Sequence, residues 1–206
     1  MRFLILALAL IAGPAVARTE TAVVAGGCFW CVESDFESVP GVKEVVSGYT
    51  GGTLSNPTYK DVGGGTSGHY EAVEIRYDPA KVSYAQLMSM FFRSVDPTDG
   101  GGQFCDRGPS YRTAIFVADD AQRAAAEAAK SEAGKALGAK IATQILPLGP
   151  FWKAEAYHQD YYKGQNIVLT RAGPKKQANA YRFYRSACGR DTRVKQLWGG
   201  QAAFAH

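Results

Sequence analysis

Apolar and polar positions along this chain switch between an extended and a helical period. Thr21 to Val24 is a short β-branched run that reads as a strand, and the segment it leads into, Phe29 to Val39, puts Phe29, Val32, Phe36 and Val39 at helical spacing. Val42 to Tyr49 returns to a strand pattern. From Gly51 to Gly68 the chain holds Pro57 and the triple Gly63-Gly64-Gly65, so a long surface loop is expected, of a length that commonly carries function. Glu71 to Tyr77 alternates, with Ala72 or Val73 and Ile75 inward, and stops at Asp78-Pro79, which predicts a strand entered directly from that loop.

Ser83 then caps a helix running to about Val95, whose apolar face carries Leu87, Met88, Phe91 and Phe92; at this spacing the Met and aromatic residues are core. A turn from Pro97 to Gly102 and a loop from Gln103 to Ser110 lead to a strand, Thr113 to Ala118. Asp119 caps an Ala-rich helix, Asp120 to Leu137, with Arg123, Glu127, Lys130 and Glu132 on a solvated face. A strand from Ile141 to Leu148 follows, then helices around Ala154 to Tyr162 and Asn179 to Ala187. Strands and helices alternate without a repeat, which suits a two-layer α/β (α+β) sandwich.

The chemistry concentrates where the first strand meets the first helix, at Gly26-Gly27-Cys28-Phe29-Trp30-Cys31. Two glycines allow a tight turn, and the free N–H groups and positive dipole end of a helix favour an anion, so the thiolate of Cys28 is expected to form more easily than that of a solvent-exposed thiol. Read alone, a Cys after a strand is as often a small buried hydrophobe as a nucleophile. Cys31, three residues on, is near enough along one helical turn to form a disulfide.

The first residues read differently. Arg2 supplies a basic start, Phe3 to Ala12 an apolar run too short for a permanent membrane anchor, and Ala15-Val16-Ala17 a small-x-small cleavage site after Pro14. Residues 1–17 are therefore expected to be a cleaved signal peptide, with 18–206 a single domain in the periplasm or otherwise exported. Loss of Arg2 takes the formal net charge from +4 to +3, too weak a surplus for nucleic acid, and no basic run of five residues occurs. Four cysteines in an exported chain invite a disulfide framework, but the rest of the composition suffices for a core without staples. A tetrathiolate zinc site is disfavoured because only one C-x-x-C pair exists, and Val32 after Cys31 excludes the usual c-type haem attachment. The glycine cluster lacks the Lys-Ser/Thr ending of a phosphate-binding loop.

Gly-Cys-Phe-Trp at 27–30 resembles the signature of the A-type peptide-methionine sulfoxide reductases. So, in the same order, do Asn56-Pro57-Thr58-Tyr59, Gly68-His69-Tyr70-Glu71-Ala72-Val73, and Asp106-Arg107-Gly108 with Tyr111-Arg112. The resemblance covers about Ala22 to Tyr162. It implies a ferredoxin-like core with long loops, and thiol-dependent reduction of methionine S-sulfoxide, free or in proteins. Cys28 would be the nucleophile and Glu71 the acid. Tyr59 and Tyr111 would bind the sulfoxide oxygen, Asp106 would order the polar network or contact the peptide backbone, and Phe29 and Trp30 would line the S-methyl pocket. Read without the resemblance, Glu71, Tyr59, Tyr111 and Asp106 would each more often be ordinary loop or edge residues. The reaction itself demands such an acid: a thiolate attacks the sulfoxide sulfur only as the oxygen is protonated, and a carboxyl of ordinary pKa about 4.3 must be raised by burial to serve near neutrality.

A sulfenic acid on Cys28 then needs a second thiol. Here the chain departs from the commoner family pattern, which has Gly at the position of Cys31. Cys188, in a C-terminal segment of the kind that brings a resolving Cys to the site, is the first candidate and Cys31 the alternative. Cys105 would join a resolving relay or a structural bridge with Cys31. The family has no bound cofactor and implies an external thioredoxin-like dithiol reductant; a metal has little support. His69 is expected to hydrogen-bond near the acid segment, and His158 to be structural. Two rivals stand beside this reading. One is a thiol-disulfide oxidoreductase using Cys28 and Cys31; the other is a disulfide-stapled secreted binding module, which would pair all four cysteines.

Overall fold

The computed structural model describes residues 18–205; the expected signal peptide at 1–17 lies outside the described residues. The chain opens with β1 (Glu20–Gly26), α1 (Phe29–Glu37), β2 (Val42–Thr50), the short α2 (Tyr59–Gly63), β3 (Tyr70–Tyr77) and α3 (Tyr84–Phe92). A two-residue pair, β4 (Gly102–Gln103) and β5 (Asp106–Arg107), precedes β6 (Thr113–Val117), α4 (Asp120–Leu137), β7 (Gln144–Pro147) and β8 (Trp152–Lys153). A hairpin of β9 (Ile167–Thr170) and β10 (Gly173–Lys176) leads to α5 (Gln177–Ala187) and α6 (Arg190–Trp198).

The main sheet has the order β7-β6-β1-β3-β2-β8. Its inner four strands pair antiparallel as β6-β1-β3-β2, with α1 between β1 and β2 and α3 between β3 and β6. This β-α-β-β-α-β arrangement is ferredoxin-like, as expected. β7 adds parallel to β6, and β8 adds antiparallel to β2.

Period-2 alternation divides each central strand between two cores. Ala22 and Val24 of β1, with Val73 and Ile75 of β3, join the cluster under the helices that holds Phe36, Phe91 and Met88. Val23, Ala25 and Ala72 face the other way, toward Phe116. The structure thus settles the choice left open at β3: Val73 lies on the helix side. Glu71 has the same parity, so the strand delivers its carboxyl to the helix layer, where it is 2% exposed. Burial of each large apolar side chain in that layer contributes about 1.5–3 kcal/mol, which sets the scale of the force holding Glu71 out of water.

Three expectations need correction. The loop from Gly51 to Gly68 is not wholly irregular, because Thr58 and Asp61 form a capping box that starts α2 at Tyr59. The helix expected over 154–162 is instead two 3₁₀ turns, Ala156–His158 and Tyr161–Lys163. Asp160 between them sits at φ 53 with its N–H donated to Glu33 Oε1 (2.6 Å), and Gln159 bonds both backbone groups of Ser47, so contacts to α1 and β2 outweigh local helix propensity. Lys130 on α4 donates to the Thr143 carbonyl rather than standing free in solvent.

The C-terminal segment is tied to α1 by buried charge. Arg185 of α5 bonds Asp35 of α1 (2.7 Å) and Asp191 of α6 (2.7 Å), while Arg190 donates to the Gly26 carbonyl at the end of β1 (3.0 Å). Cys188, at the C-cap of α5, is thereby fixed between two arginines that reach the first helix.

Candidate active site

The turn between β1 and α1 depends on Gly27. Its φ is +81, and a Cβ there would lie 2.6 Å from Cβ of Gln103, a fully buried residue whose side-chain amide bonds Asp96 N and O. Cys28 follows as the N-cap of α1, half-buried, with no side-chain capping bond. Cys31, one turn on, is 6% exposed, and both thiols are free.

Cys28 and Cys31 are neighbours in the first turn of α1, and their surroundings differ. The neighbouring Cys31, then burial, pushes the Cys28 thiol above its ordinary range. The neighbouring Cys28, with the Arg190 and Arg185 guanidiniums, holds Cys31 below its ordinary value against the opposing effect of burial. Of the two thiols, Cys31 is the one whose ionised form its neighbours favour, because the Arg190 and Arg185 guanidiniums stand behind it. The helix N-terminus lies at Cys28, as expected, and the cations lie behind Cys31.

Glu71 meets the same turn from below. Its Oε2 accepts the Phe29 N–H at 3.1 Å, beside Cys28. Burial raises its pKa to about 8, although the Phe29 bond and the Tyr111 hydroxyl pull the other way. It is thus a carboxylic acid at neutral pH, and a neutral acid beside Cys28 does not oppose the sulfur's ionisation. Tyr59 and Tyr111 face each other across the site, and burial raises both above the ordinary phenol value, so each remains a hydroxyl donor. Asp106, the first residue of β5, is raised by burial, with Arg190 opposing.

Aromatic rings close one side. Trp30 stacks on Tyr161 with centroids 3.7 Å apart and planes 4° from parallel, and its indole Nε1 donates to His158 Nδ1 at 3.1 Å. His158 must accept there, which requires the neutral imidazole; burial lowers its pKa to about 4. The same imidazole packs on Phe29 (4.9 Å) and Tyr59 (4.5 Å). His158, expected to be structural, therefore sets the aromatic wall. His69 instead anchors the long loop through Gly52 N–H (3.2 Å) and the Leu54 carbonyl (2.8 Å).

Cys188 is bonded to Cys105, with Cα atoms 4.9 Å apart, so the bridge considered between Cys105 and Cys31 is not formed. All four cysteines line one cavity of about 540 Å³ together with Glu71 and Tyr111. The structure therefore gathers the candidate catalytic, substrate-binding and resolving residues into a single pocket, with His69 and His158 outside its lining.

The family described as peptide methionine sulfoxide reductase matches residues 20–198. The chain belongs to that family. It is 56% identical over 190 residues to "Peptide methionine sulfoxide reductase MsrA 2" of Caulobacter vibrioides, covering 91% of this chain and 90% of that one. Among solved structures it is similar to reduced Mxr1 of Saccharomyces cerevisiae (32% identity, TM-score 0.68, 73% of this chain and 87% of that one). It is similar as well to Mxr1 in complex with Trx2 (25% identity, TM-score 0.51, 71% and 86%).

In this family member several site-forming residues escaped sequence reasoning. Glu155 accepts the Tyr59 N–H (2.8 Å) and the Tyr49 hydroxyl (2.8 Å), which orients α2 and hence Tyr59. Arg185 and Arg190 bear on the Cys31 sulfur. A buried arginine leaves no local pattern; Glu155 sits in an irregular segment with no periodicity to mark it as inward.

Proposed function

We propose that this protein reduces the S epimer of methionine sulfoxide, free or in proteins, to methionine, and so repairs oxidised proteins. The observation that carries the reading is the buried, protonated Glu71 held on the Phe29 amide beside Cys28, under the hydroxyls of Tyr59 and Tyr111. The sulfoxide oxygen fits between the two tyrosines and the acid, and the S-methyl group against Phe29 and Trp30. The nucleophilic sulfur sits at the helix N-terminus, whose free N–H groups favour its ionised form. Attack on the sulfoxide sulfur with proton donation from Glu71 gives methionine and a sulfenic acid on Cys28. A second thiol in the same cavity closes a disulfide, and an external thioredoxin-like dithiol reduces it; the likeness to a structure of Mxr1 with Trx2 supports that partner. No bound cofactor is required by these steps.

The free state of Cys28 and Cys31 argues against a fully stapled binding module. A thiol-disulfide oxidoreductase would be expected to react without Glu71. With a dithiol reductant, the protein is expected to consume the S epimer of a blocked methionine sulfoxide and leave the R epimer, as read by chiral chromatography; disulfide reduction with no loss of either epimer would favour the oxidoreductase.

The reading places the protein in the periplasm or another exported compartment, on the strength of the Arg2, Phe3 to Ala12 and Ala15-Val16-Ala17 pattern. Among the described residues no helix is long and apolar enough to cross a membrane. Intact mass of exported protein is expected to begin at Arg18; retention of Arg2 would refute cleavage.

A further inference from the structure

The β9–β10 hairpin presents an apolar face that the fold leaves uncovered. Along β9 the side chains alternate: Val168 packs against the cluster of Tyr161, Ala180 and Tyr181, and Thr170 is buried, while Ile167 and Leu169 point away and are 67% and 85% exposed. Pro174 lies opposite Leu169 and Lys176 opposite Ile167, so these two exposed residues share the outward face. An isolated surface leucine needs no explanation, but three apolar residues side by side on one short sheet do.

Hydrogen bonds hold this face in place. Thr170 Oγ1 donates to the Gly173 carbonyl (2.6 Å) and accepts the Ala172 N–H (3.2 Å), which fastens the turn. At the base, the Gln177 and Ala178 N–H groups donate to the carbonyls of Asn166 and Gly164, each at 2.9 Å. The hairpin also borders the catalytic cavity, since Leu169 and Arg171 line it together with Cys28 and Trp30. Charge adds to the pattern. Residues 161–190 contain seven Lys or Arg and no Asp or Glu. Of these, Arg171 and Lys176 are exposed and enter no ion pair among the described residues.

We infer that the outward face of the β9–β10 hairpin docks the polypeptide that flanks the methionine sulfoxide, in the form of an extended segment with apolar side chains and a carboxylate. The inference rests on the sulfoxide reduction proposed above. A methionine side chain that reaches Cys28 leaves its own backbone at the cavity mouth, where Leu169 and Arg171 stand. The chain beyond it advances about 3.3 Å per residue with alternate side chains on one side, the same spacing that separates Leu169 from Ile167, so about two to four further residues cover both. Their apolar side chains bury Leu169 and Ile167, and a carboxylate among them meets Arg171 or Lys176. A lipid surface would also suit a basic apolar hairpin; continuity with the substrate cavity decides for polypeptide.

The test measures kcat/KM in wild type and in Ile167→Ser/Leu169→Ser protein with three substrates: an S-sulfoxide peptide flanked by leucine and glutamate, its glycine-serine counterpart, and a blocked methionine S-sulfoxide. Wild type is expected to favour the leucine-glutamate peptide over the glycine-serine one by about tenfold, mostly through KM, and the serine variant to lose that preference. Ile167→Val/Leu169→Met is expected to keep it. Exchange of the peptide's glutamate for lysine is expected to lower wild-type kcat/KM about threefold, an effect that salt removes. An undiminished preference in the serine variant would overturn the docking, as would an equal fall on the blocked amino acid, which reports a change at the reacting centre. A variant altered only in KM for the dithiol reductant, or only in binding to anionic vesicles, would overturn it in favour of the reductant or a lipid surface. Wild type that turns over the blocked amino acid with no peptide preference overturns the docking alone, whereas release of methionine from none of the substrates overturns the reaction on which it rests.

Discussion

Cys28→Ser protein is expected to lose methionine S-sulfoxide reduction by at least about 10⁴-fold, with the fold intact. Serine occupies the N-cap without strain, since it is a preferred residue there, so the loss reports chemistry rather than misfolding. A serine hydroxyl does not ionise near neutral pH, and the helix N-terminus contributes only a fraction of the bias that would be required. Steady-state assay with matched circular dichroism reads the result. Turnover within tenfold of the wild type would remove Cys28 from the reaction.

Glu71→Gln is expected to lower kcat/KM by about 10²–10³-fold at pH 7, because an amide can hydrogen-bond the sulfoxide oxygen but cannot protonate it. The pH profile carries the more specific signature. Wild-type kcat/KM should fall as pH rises through about 8, where Glu71 gives up its proton, and that limb should be missing in Glu71→Gln. Stability follows with a definite sign. Burial raises Glu71 from 4.5 to about 8, so the folded chain binds a proton that the unfolded chain has already released between those values. The stability tied to that proton is complete below about pH 4.5 and is lost as pH rises through about 8. Relative to Glu71→Gln, the wild type should lose on the order of 4–5 kcal/mol between pH 4 and pH 9 in denaturant titrations. A flat difference would mean that Glu71 is ionised in the fold.

The central sheet was legible because its strands carry period-2 patterns long enough to read, and the bounds of α4 match expectation because Asp119 caps one end and Gly138 closes the other in a left-handed turn. Glu71 was legible as the acid through the family resemblance, while its side of the strand, shared with Val73 and Ile75, is settled by the structure. The C-terminal third was far less legible. The strands β8, β9 and β10 are short and α6 is strongly polar, so neither period rises above background. Pairing was the other blind spot. Cys105 and Cys188 are 83 residues apart, and Arg185 meets Asp35 across 150, separations at which sequence spacing says nothing of distance. That second contact belongs to the ion pairs that hold Arg185 in place beside Cys31, which no local pattern announces. The helix N-terminus is visible in the sequence, whereas the two cations behind Cys31 come from the far end of the chain.

The most direct test of the account is a single turnover by protein in which Cys31, Cys105 and Cys188 are all replaced by serine, mixed with one equivalent of a peptide S-sulfoxide in the presence of dimedone. One adduct, on Cys28, for each methionine released is the predicted result. Methionine released with Cys28 unmodified would contradict the account.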